Sequence, residues 1–170
     1  RIDMVITNTQ AQDHVDGEIA HIPPDWNELE SLMDSLCNFA NSDKEFIHPI
    51  IKAAMLHFLI GYIHPFKDGN GRIGRLLIPL FLYSKKRLIR PMFYLSDYLE
   101  KNRSEYYARL KAISSEGDWT GWIVFYLNAV VQQARANNLR TKEIMKLYKN
   151  TKTKIRDITN SQYSMQLLDA

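Results

Sequence analysis

The stretch "AAMLHFLIGYIHPFKDGNGRIGRLLIPLFLY", Ala53 to Tyr83, sets the architecture of this chain. Its centre, "HPFKDGNGR" (residues 64–72), packs a histidine, an aspartate, an asparagine, two glycines and an arginine between two apolar segments. The first of these belongs to "IIKAAMLHFLIGYI", apolar nearly all round, with only Lys52 and His57 strongly polar. A helix of that kind is the buried centre of a bundle. Pro49 suits its first turn and Pro65 stops it. A second helix is expected from near Gly71, carrying Ile73, Leu76, Leu77, Leu80 and Phe81. Pro79 lies inside that pattern and removes one backbone hydrogen bond, which predicts a kink or a break.

Outward from this centre the chain reads as mainly α. Leu29, Leu32, Met33, Leu36, Phe39 and Ala40 form one stripe of an amphipathic helix, with Asp25 placed to cap it. Cys37, beside Leu36, reads as a small core residue. Ser96 can cap a helix through "DYLEKNRSEYYARLKAI", and Gly117 and Asp118 punctuate before another that carries Trp119, Trp122, Ile123, Tyr126 and Val130. Both tryptophans are expected in the core. Residues 1–24 are polar and broken, with a short extended pair expected around "DMVIT" and "EIAHI". Residues 135–157 hold eight Lys or Arg against Glu143 and Asp157, so a solvated basic helix is expected there. Tyr148 is the one aromatic residue interleaved there, too few for a base-stacking platform, and a basic helix alone is weak support for a nucleic-acid contact.

Composition excludes more than it assigns. The 170 residues carry a net charge of +3, too small to name a partner. No uninterrupted apolar run reaches the roughly 18–20 residues that span a bilayer, so no membrane partner is expected. One cysteine forms no internal disulfide, which favours a reducing, cytoplasmic setting. The chain starts on Arg1 rather than Met, and a fragment of a longer protein is expected.

Asp68-Gly69 and Asn70-Gly71 are strong turn dipeptides, but a simple turn has no use for His64, Asp68, Arg72 and Arg75 together. A helix N-terminus presents backbone N–H groups and a positive dipole end, and glycines let both approach a phosphate. Arg72 and Arg75, at i and i+3, reach the same side of the first turn and can clamp further oxygens. Asp68 can hold a Mg²⁺ that shares those phosphates. Histidine is the side chain able to take a proton near neutral pH. The residues thus describe a base-assisted transfer at a nucleotide polyphosphate. A Walker loop needs a Lys-Ser or Lys-Thr that is absent, and a calcium loop begun at Asp68 would find Pro79 where its bidentate Glu belongs. His57 lies two helical turns before His64 and reads as a packed core histidine; His48 is expected to shape the start of the helix at Pro49.

"HPFKDGNGRIGR" resembles the signature H-P-F-x-[DE]-G-N-G-R-x-x-R of the Fic (filamentation induced by cAMP) family, matching at every fixed position. The similarity extends over roughly residues 1–135, through "HIPP", "GRLLIPLFLYSKKRLIRPMFYLSDYLEKNRSEYYARL" and "GDWTGWIVFYL". It implies a Fic-type helical bundle, residues 1–135, with a small β-hairpin flap near the N-terminus. Residues 136–170 would be a basic helical linker toward a C-terminal winged-helix domain outside this sequence, through which any nucleic-acid contact would run. A bacterial source is expected.

The resemblance further implies protein adenylyltransferase activity, moving AMP from ATP to a Ser, Thr or Tyr hydroxyl of a target protein, the enzyme itself included. His64 would be the general base and Asp68 the Mg²⁺ ligand. Gly69, Asn70 and Gly71 would cradle the phosphates, with Arg72 contacting them and Arg75 positioning the γ-phosphate. Pro65 and Phe66 would anchor the loop. Tyr106 and Tyr107 resemble the residues that line the nucleotide base. Gly17, Glu18, Ile19, Ala20, His21 and Ile22 resemble the flap that aligns the target as an added strand. Gly71 separates the chain from the Doc-like kinase branch, where Lys stands at that position. "AISSEG" does not fit the family's inhibitory helix, because Ala112 precedes Glu116 by four; such a helix is expected upstream of Arg1 or in a partner, if at all. The alternatives are another nucleotide or phosphocholine donor, removal of AMP, or a non-catalytic nucleotide- or nucleic-acid-binding module.

Overall fold

A computed structural model of the chain describes residues 13–15, 18–42, 46–159, 161, 163, 168 and 169, with side chains from Ile22 onward. Two short strands, β1 (Asp13–Val15) and β2 (Glu18–His21), pair antiparallel with an irregularity between Asp13 and His14. The strand expected at residues 3–7 lies outside the described residues; the one that pairs with β2 is nearer to it in sequence. A 3₁₀ turn, Trp26–Glu28, follows, capped by the Asp25 carboxylate on Asn27 N–H at 2.9 Å. Among the described residues six helices come next: α1 (Leu29–Asn41), α2 (Pro49–Ile63), α3 (Asn70–Ser84), α4 (Ser96–Lys101), α5 (Arg103–Glu116) and α6 (Trp119–Ile158). The architecture is mainly helical, as the apolar periodicities require.

The chain divides into two compact units, Arg1–Val131 and Gln132–Ala170. In the first, α2 is the centre. One side of it, Leu56, Ile60 and Ile63, packs on Leu29 and Leu36, with Leu32, Met33, Phe39 and Ala40 around them, so the whole α1 stripe is used. Another side, Ala53, Ala54 and Phe58, meets Ile78 and Leu82 of α3, Leu99 of α4, Tyr106 and Ile113 of α5, and Trp122, Phe125, Tyr126 and Ala129 of α6. An all-apolar helix is stable only when covered on several faces, which is why α2 tolerates almost no polar residue. Its two exceptions are Lys52 and His57. Lys52 is buried, donates to the Ser42 carbonyl at the end of α1 and lies over the Phe39 ring at 4.9 Å. His57 is treated below.

Four sequence expectations change. Helix α3 runs unbroken through Pro79, which is buried within it, and its buried row is Gly74, Ile78 and Leu82 while Leu76 and Leu80 are exposed. The helix expected from Ser96 is two helices, because Asn102 turns its side-chain amide back onto the Tyr98 carbonyl at 2.8 Å and competes with the backbone ladder. Cys37 is exposed rather than core, since it falls on the solvent side of the α1 stripe. Trp122 is fully buried, with its indole N–H on the Ala54 carbonyl at 3.0 Å, but Trp119 only packs against the core edge.

In the second unit, the part of α6 beyond Gln132 is solvated, with Leu139, Ile144, Leu147 and Ile158 exposed along with the basic residues. Tyr148 donates to the Asp169 carboxylate, which Lys152 also pairs at 3.5 Å. Among the described residues no helix is long and apolar enough to cross a membrane.

Candidate active site

The motif loop is built at the meeting of the α2 C-terminus and the α3 N-terminus. Helix α2 ends because the residue before a proline is pushed out of the right-handed helical region. His64 takes the left-handed conformation instead (φ 51°, ψ 54°), uncommon for a residue with a side chain. Pro65 has a second effect. In a continuing helix the residue-65 N–H would bond the Gly61 carbonyl, and proline has no N–H. That carbonyl is met by the His64 ring, whose Nδ1 lies 3.3 Å from it. A carbonyl oxygen only accepts, so Nδ1 carries the hydrogen and the lone pair of the neutral ring is on Nε2. His64 and Pro65 are both buried, and Phe66 is half-buried.

The inner side of the loop is closed by Asn70. Its Oδ1 accepts from the Phe66 N–H at 2.9 Å, and its Nδ2 donates to the Phe66 carbonyl at 2.6 Å. Only 3% of Asn70 is exposed. The Asn70 side chain is therefore a loop clamp, and what it can offer a phosphate is its backbone N–H. Gly69 precedes it at φ 86°, a conformation that favours glycine, and no side chain caps the helix at this point. The first N–H groups of α3 have no helical acceptor, so the helix begins as an open donor cluster.

The outer side carries the charge. One Asp68 oxygen accepts from the Gly69 N–H at 2.6 Å, and the other pairs with Arg72 Nη2 at 2.7 Å, with both side chains largely in solvent. The Arg72 guanidinium lies over Gly69 and that of Arg75 over Gly71, where an added Cβ would sit 3.3 Å from Arg75 Nη1. Glycine at these two positions lets the arginines fold down along the helix start. The fold thus brings Asp68, Gly69, Gly71, Arg72 and Arg75 together at one helix end, beside His64.

The tyrosine pair separates. Tyr106 is buried, with its hydroxyl 3.0 Å from His57 Nε2 and its ring among those of Trp122 and Tyr107. It is a core residue. Tyr107 is half-buried and has Arg103 over its ring at 5.7 Å. In the flap segment, Gly17 lies outside the described residues, Glu18, Ile19, Ala20 and His21 form β2, and Ile22 is exposed. Three contributors escaped the sequence reading: the Gly61 carbonyl, the Phe66 backbone, and Gly74, whose missing Cβ leaves room for the His57 ring. Only the first had a readable signal, a proline four residues after a helical carbonyl.

Residues 3–82 match the model of the Fic/DOC family. The chain is 35% identical over 106 residues to protein adenylyltransferase Fic of Aedes aegypti, covering 62% of this chain and 20% of that protein. It is 46% identical over 63 residues to the protein of the same name from Nematostella vectensis, covering 36% and 15%. The chain thus spans about a fifth or less of the length of these curated relatives. A solved Fic family protein from Desulfovibrio desulfuricans G20 aligns with a TM-score of 0.61 and 30% identity, over 69% of this chain and 36% of that one. The intact motif, the helical fold and these matches together show a Fic/DOC domain over residues 3–82.

Proposed function

We propose that the chain is the catalytic part of a protein adenylyltransferase, transferring AMP from ATP to a hydroxyl of a protein target. One observation carries the reading most directly. The His64 ring is held with Nδ1–H on the Gly61 carbonyl, beside a helix start whose donors and two arginines suit a polyphosphate.

In this reading Nε2 of neutral His64 takes the proton of a Ser, Thr or Tyr hydroxyl as its oxygen attacks the α-phosphorus. The new bond is phosphorus to target oxygen. The bond that breaks links the α-phosphorus to the oxygen bridging to the β-phosphate, and pyrophosphate leaves with that electron pair. The proton stays on His64 until solvent removes it. The N–H groups at Asn70 and Gly71 cradle the phosphates, joined by that of Gly69 when Asp68 releases it, Arg72 exchanges Asp68 for phosphate oxygens, and Arg75 holds the γ-phosphate.

Among the described residues no three His, Cys, Asp or Glu side chains gather into a metal cage. A single accessible carboxylate fits Mg²⁺ all the same, because that ion keeps waters and takes its remaining ligands from phosphates. Asp68 would hold it, and when bound it would neutralise phosphate charge and orient the polyphosphate. Tyr107, with part of its ring exposed, is the member of the tyrosine pair suited to the base. Among the described residues β2 pairs with β1 alone, which supports its use as a flap that takes the target segment as an added strand.

The test is to incubate the chain with Mg²⁺ and ATP labelled at the α- or the γ-phosphate and to identify the adduct by mass spectrometry. Label from the α-phosphate only, an AMP adduct, and loss of both in His64→Ala are expected. Undiminished labelling by His64→Ala would refute the base assignment, and a phosphate adduct carrying the γ-label, or an adduct that forms only when UTP or CDP-choline replaces ATP, would refute AMP transfer.

A further inference from the structure

His57 is a buried titratable side chain of α2 that the proposed reaction leaves unused. Three helices meet at its ring. On its own helix it sits two turns before His64. Its Nε2 is 3.0 Å from the Tyr106 hydroxyl on α5, and its plane stacks on Trp122 of α6 at 5.8 Å and 14°. Its Nδ1 faces Gly74 on α3, so closely that a Cβ on Gly74 would lie 3.2 Å from it. Gly74 stands between Ile73 and Arg75, one turn into the helix that carries both arginines. The ring is therefore the spacer between α2, which bears His64, and the first turns of α3, which bear the phosphate-binding groups.

We propose that His57 is a positioning residue, whose ring, braced by Tyr106, sets how α3 seats against α2 and thereby aligns the Arg72–Arg75 turn with His64. Core packing alone does not account for the choice of residue. A buried imidazole needs partners for its nitrogens, and an aliphatic side chain would fill the space without that cost. The Tyr106 bond at Nε2 and the stack on Trp122 fix the ring's orientation in a way that shape alone does not, and they hold Nδ1, a buried atom with no hydrogen-bond partner among the described residues, against Gly74. Burial lowers its pKa to about 4, with the Gly74 backbone working against that and the Arg75 charge adding to it, so the ring works as a neutral spacer.

The inference rests on the phosphate-site reading, and the experiment separates the two. Mg-ATP affinity is measured by calorimetry for the whole chain, for His57→Leu, His57→Gln and Tyr106→Phe, and for Leu36→Ala, a core change on the α1 side of α2. His57→Leu should weaken binding about tenfold, since loss of alignment at one clamp is worth about 1.4 kcal/mol. His57→Gln, which reaches the Tyr106 hydroxyl, should recover most of it. Leu36→Ala should lower Tm by as much or more and leave affinity within about twofold. If His57→Leu does not fold, Tyr106→Phe gives the same reading from the other end of the brace, with a loss of about threefold. Unchanged affinity in whichever of these two variants folds, or an equal loss in Leu36→Ala, overturns the positioning role alone. No Mg-ATP binding by the unmodified chain overturns the site reading together with it.

Discussion

Asn70 offers the sharpest test of how the loop is held. Its amide makes two hydrogen bonds to the backbone of one residue, to Phe66 N–H at 2.9 Å and Phe66 carbonyl at 2.6 Å, and it is almost wholly buried. Asn70→Ala leaves both backbone groups without partners. Each fully buried orphan costs about 1–3 kcal/mol, and Phe66 is half-buried, so about 1–1.5 kcal/mol applies to each group and the pair should cost about 2–3 kcal/mol. At about 2–4 °C per kcal/mol for a chain of this size, Tm should fall by about 4–12 °C if the loop melts with the core. If the loop opens alone, the same free energy appears as weaker Mg-ATP binding.

Asn70→Asp separates the two bonds. One carboxylate oxygen can still accept from Phe66 N–H, but the other faces a carbonyl, acceptor against acceptor, in a site closed to water. Both effects favour the protonated acid, so the folded-state pKa is raised above the unfolded value of about 4. The folded protein then binds the proton more tightly than the unfolded chain, and stability falls as pH rises from that value through the folded pKa. The Tm deficit of Asn70→Asp relative to the unmodified chain should be smallest near pH 4 and largest at neutral pH. Scanning calorimetry across that range decides it. A deficit that does not change with pH, or Asn70→Ala with both Tm and nucleotide affinity intact, would refute the clamp.

Three further outcomes follow from named contacts. Pro65→Ala restores an N–H that can take the Gly61 carbonyl from His64 and lets His64 return to the right-handed helical region; AMP transfer should slow about tenfold with nucleotide affinity little changed, and an unaltered rate would remove Pro65 from the argument. Lys52→Met keeps the stem but leaves the Ser42 carbonyl without its donor, and should cost about 1–3 kcal/mol in urea unfolding; a neutral result would show that water replaces the ammonium. His57, facing Tyr106 on α5 and Arg75 and Gly74 on α3, has its pKa lowered by burial to about 4. The unfolded chain therefore binds the proton more tightly between pH about 6.5 and 4, so this contribution is complete above that window and is lost as pH falls through it, by about 3 kcal/mol. His57→Gln should flatten that part of the stability profile.

What the sequence revealed and what it concealed divide by the range of the interaction. The α1 stripe, the all-apolar α2 and the motif loop are local patterns, and periodicity or turn chemistry exposes them. The His57–Tyr106 bond joins residues 49 positions apart, and nothing around His57 names its partner. Tyr106 and Tyr107 look alike in sequence, yet one helical step of 100° sends the first into the core and leaves the second half-exposed. The division of the segment after Ser96 depends on whether Asn102 bonds to the backbone or to water, a choice that propensity leaves open. Asn70 is legible as part of the motif, but nothing in the sequence says that its side chain bonds to the Phe66 backbone and leaves only its N–H for a phosphate. A motif lists the residue types that a loop requires without saying which of them serve the ligand and which serve the loop.

That distinction has a physical basis in the two sides of this loop. The Asn70–Phe66 bonds are buried and should cost about 2–3 kcal/mol to break, so the backbone that shapes the helix start is fixed before any ligand arrives. The Asp68–Arg72 pair has side chains 87% and 69% exposed. An exposed i,i+4 ion pair contributes about 0.3–0.5 kcal/mol. At that strength a phosphate can take Arg72, and a hydrated divalent cation can take Asp68, without disturbing the loop beneath them. A site arranged the other way, with the ion pair buried and the amide clamp in solvent, would hold its charges too tightly to exchange them and its backbone too loosely to align them. The pairing of a rigid inner clamp with weakly committed outer charges is what a polyphosphate site with turnover requires, and it separates this loop from a turn of the same composition.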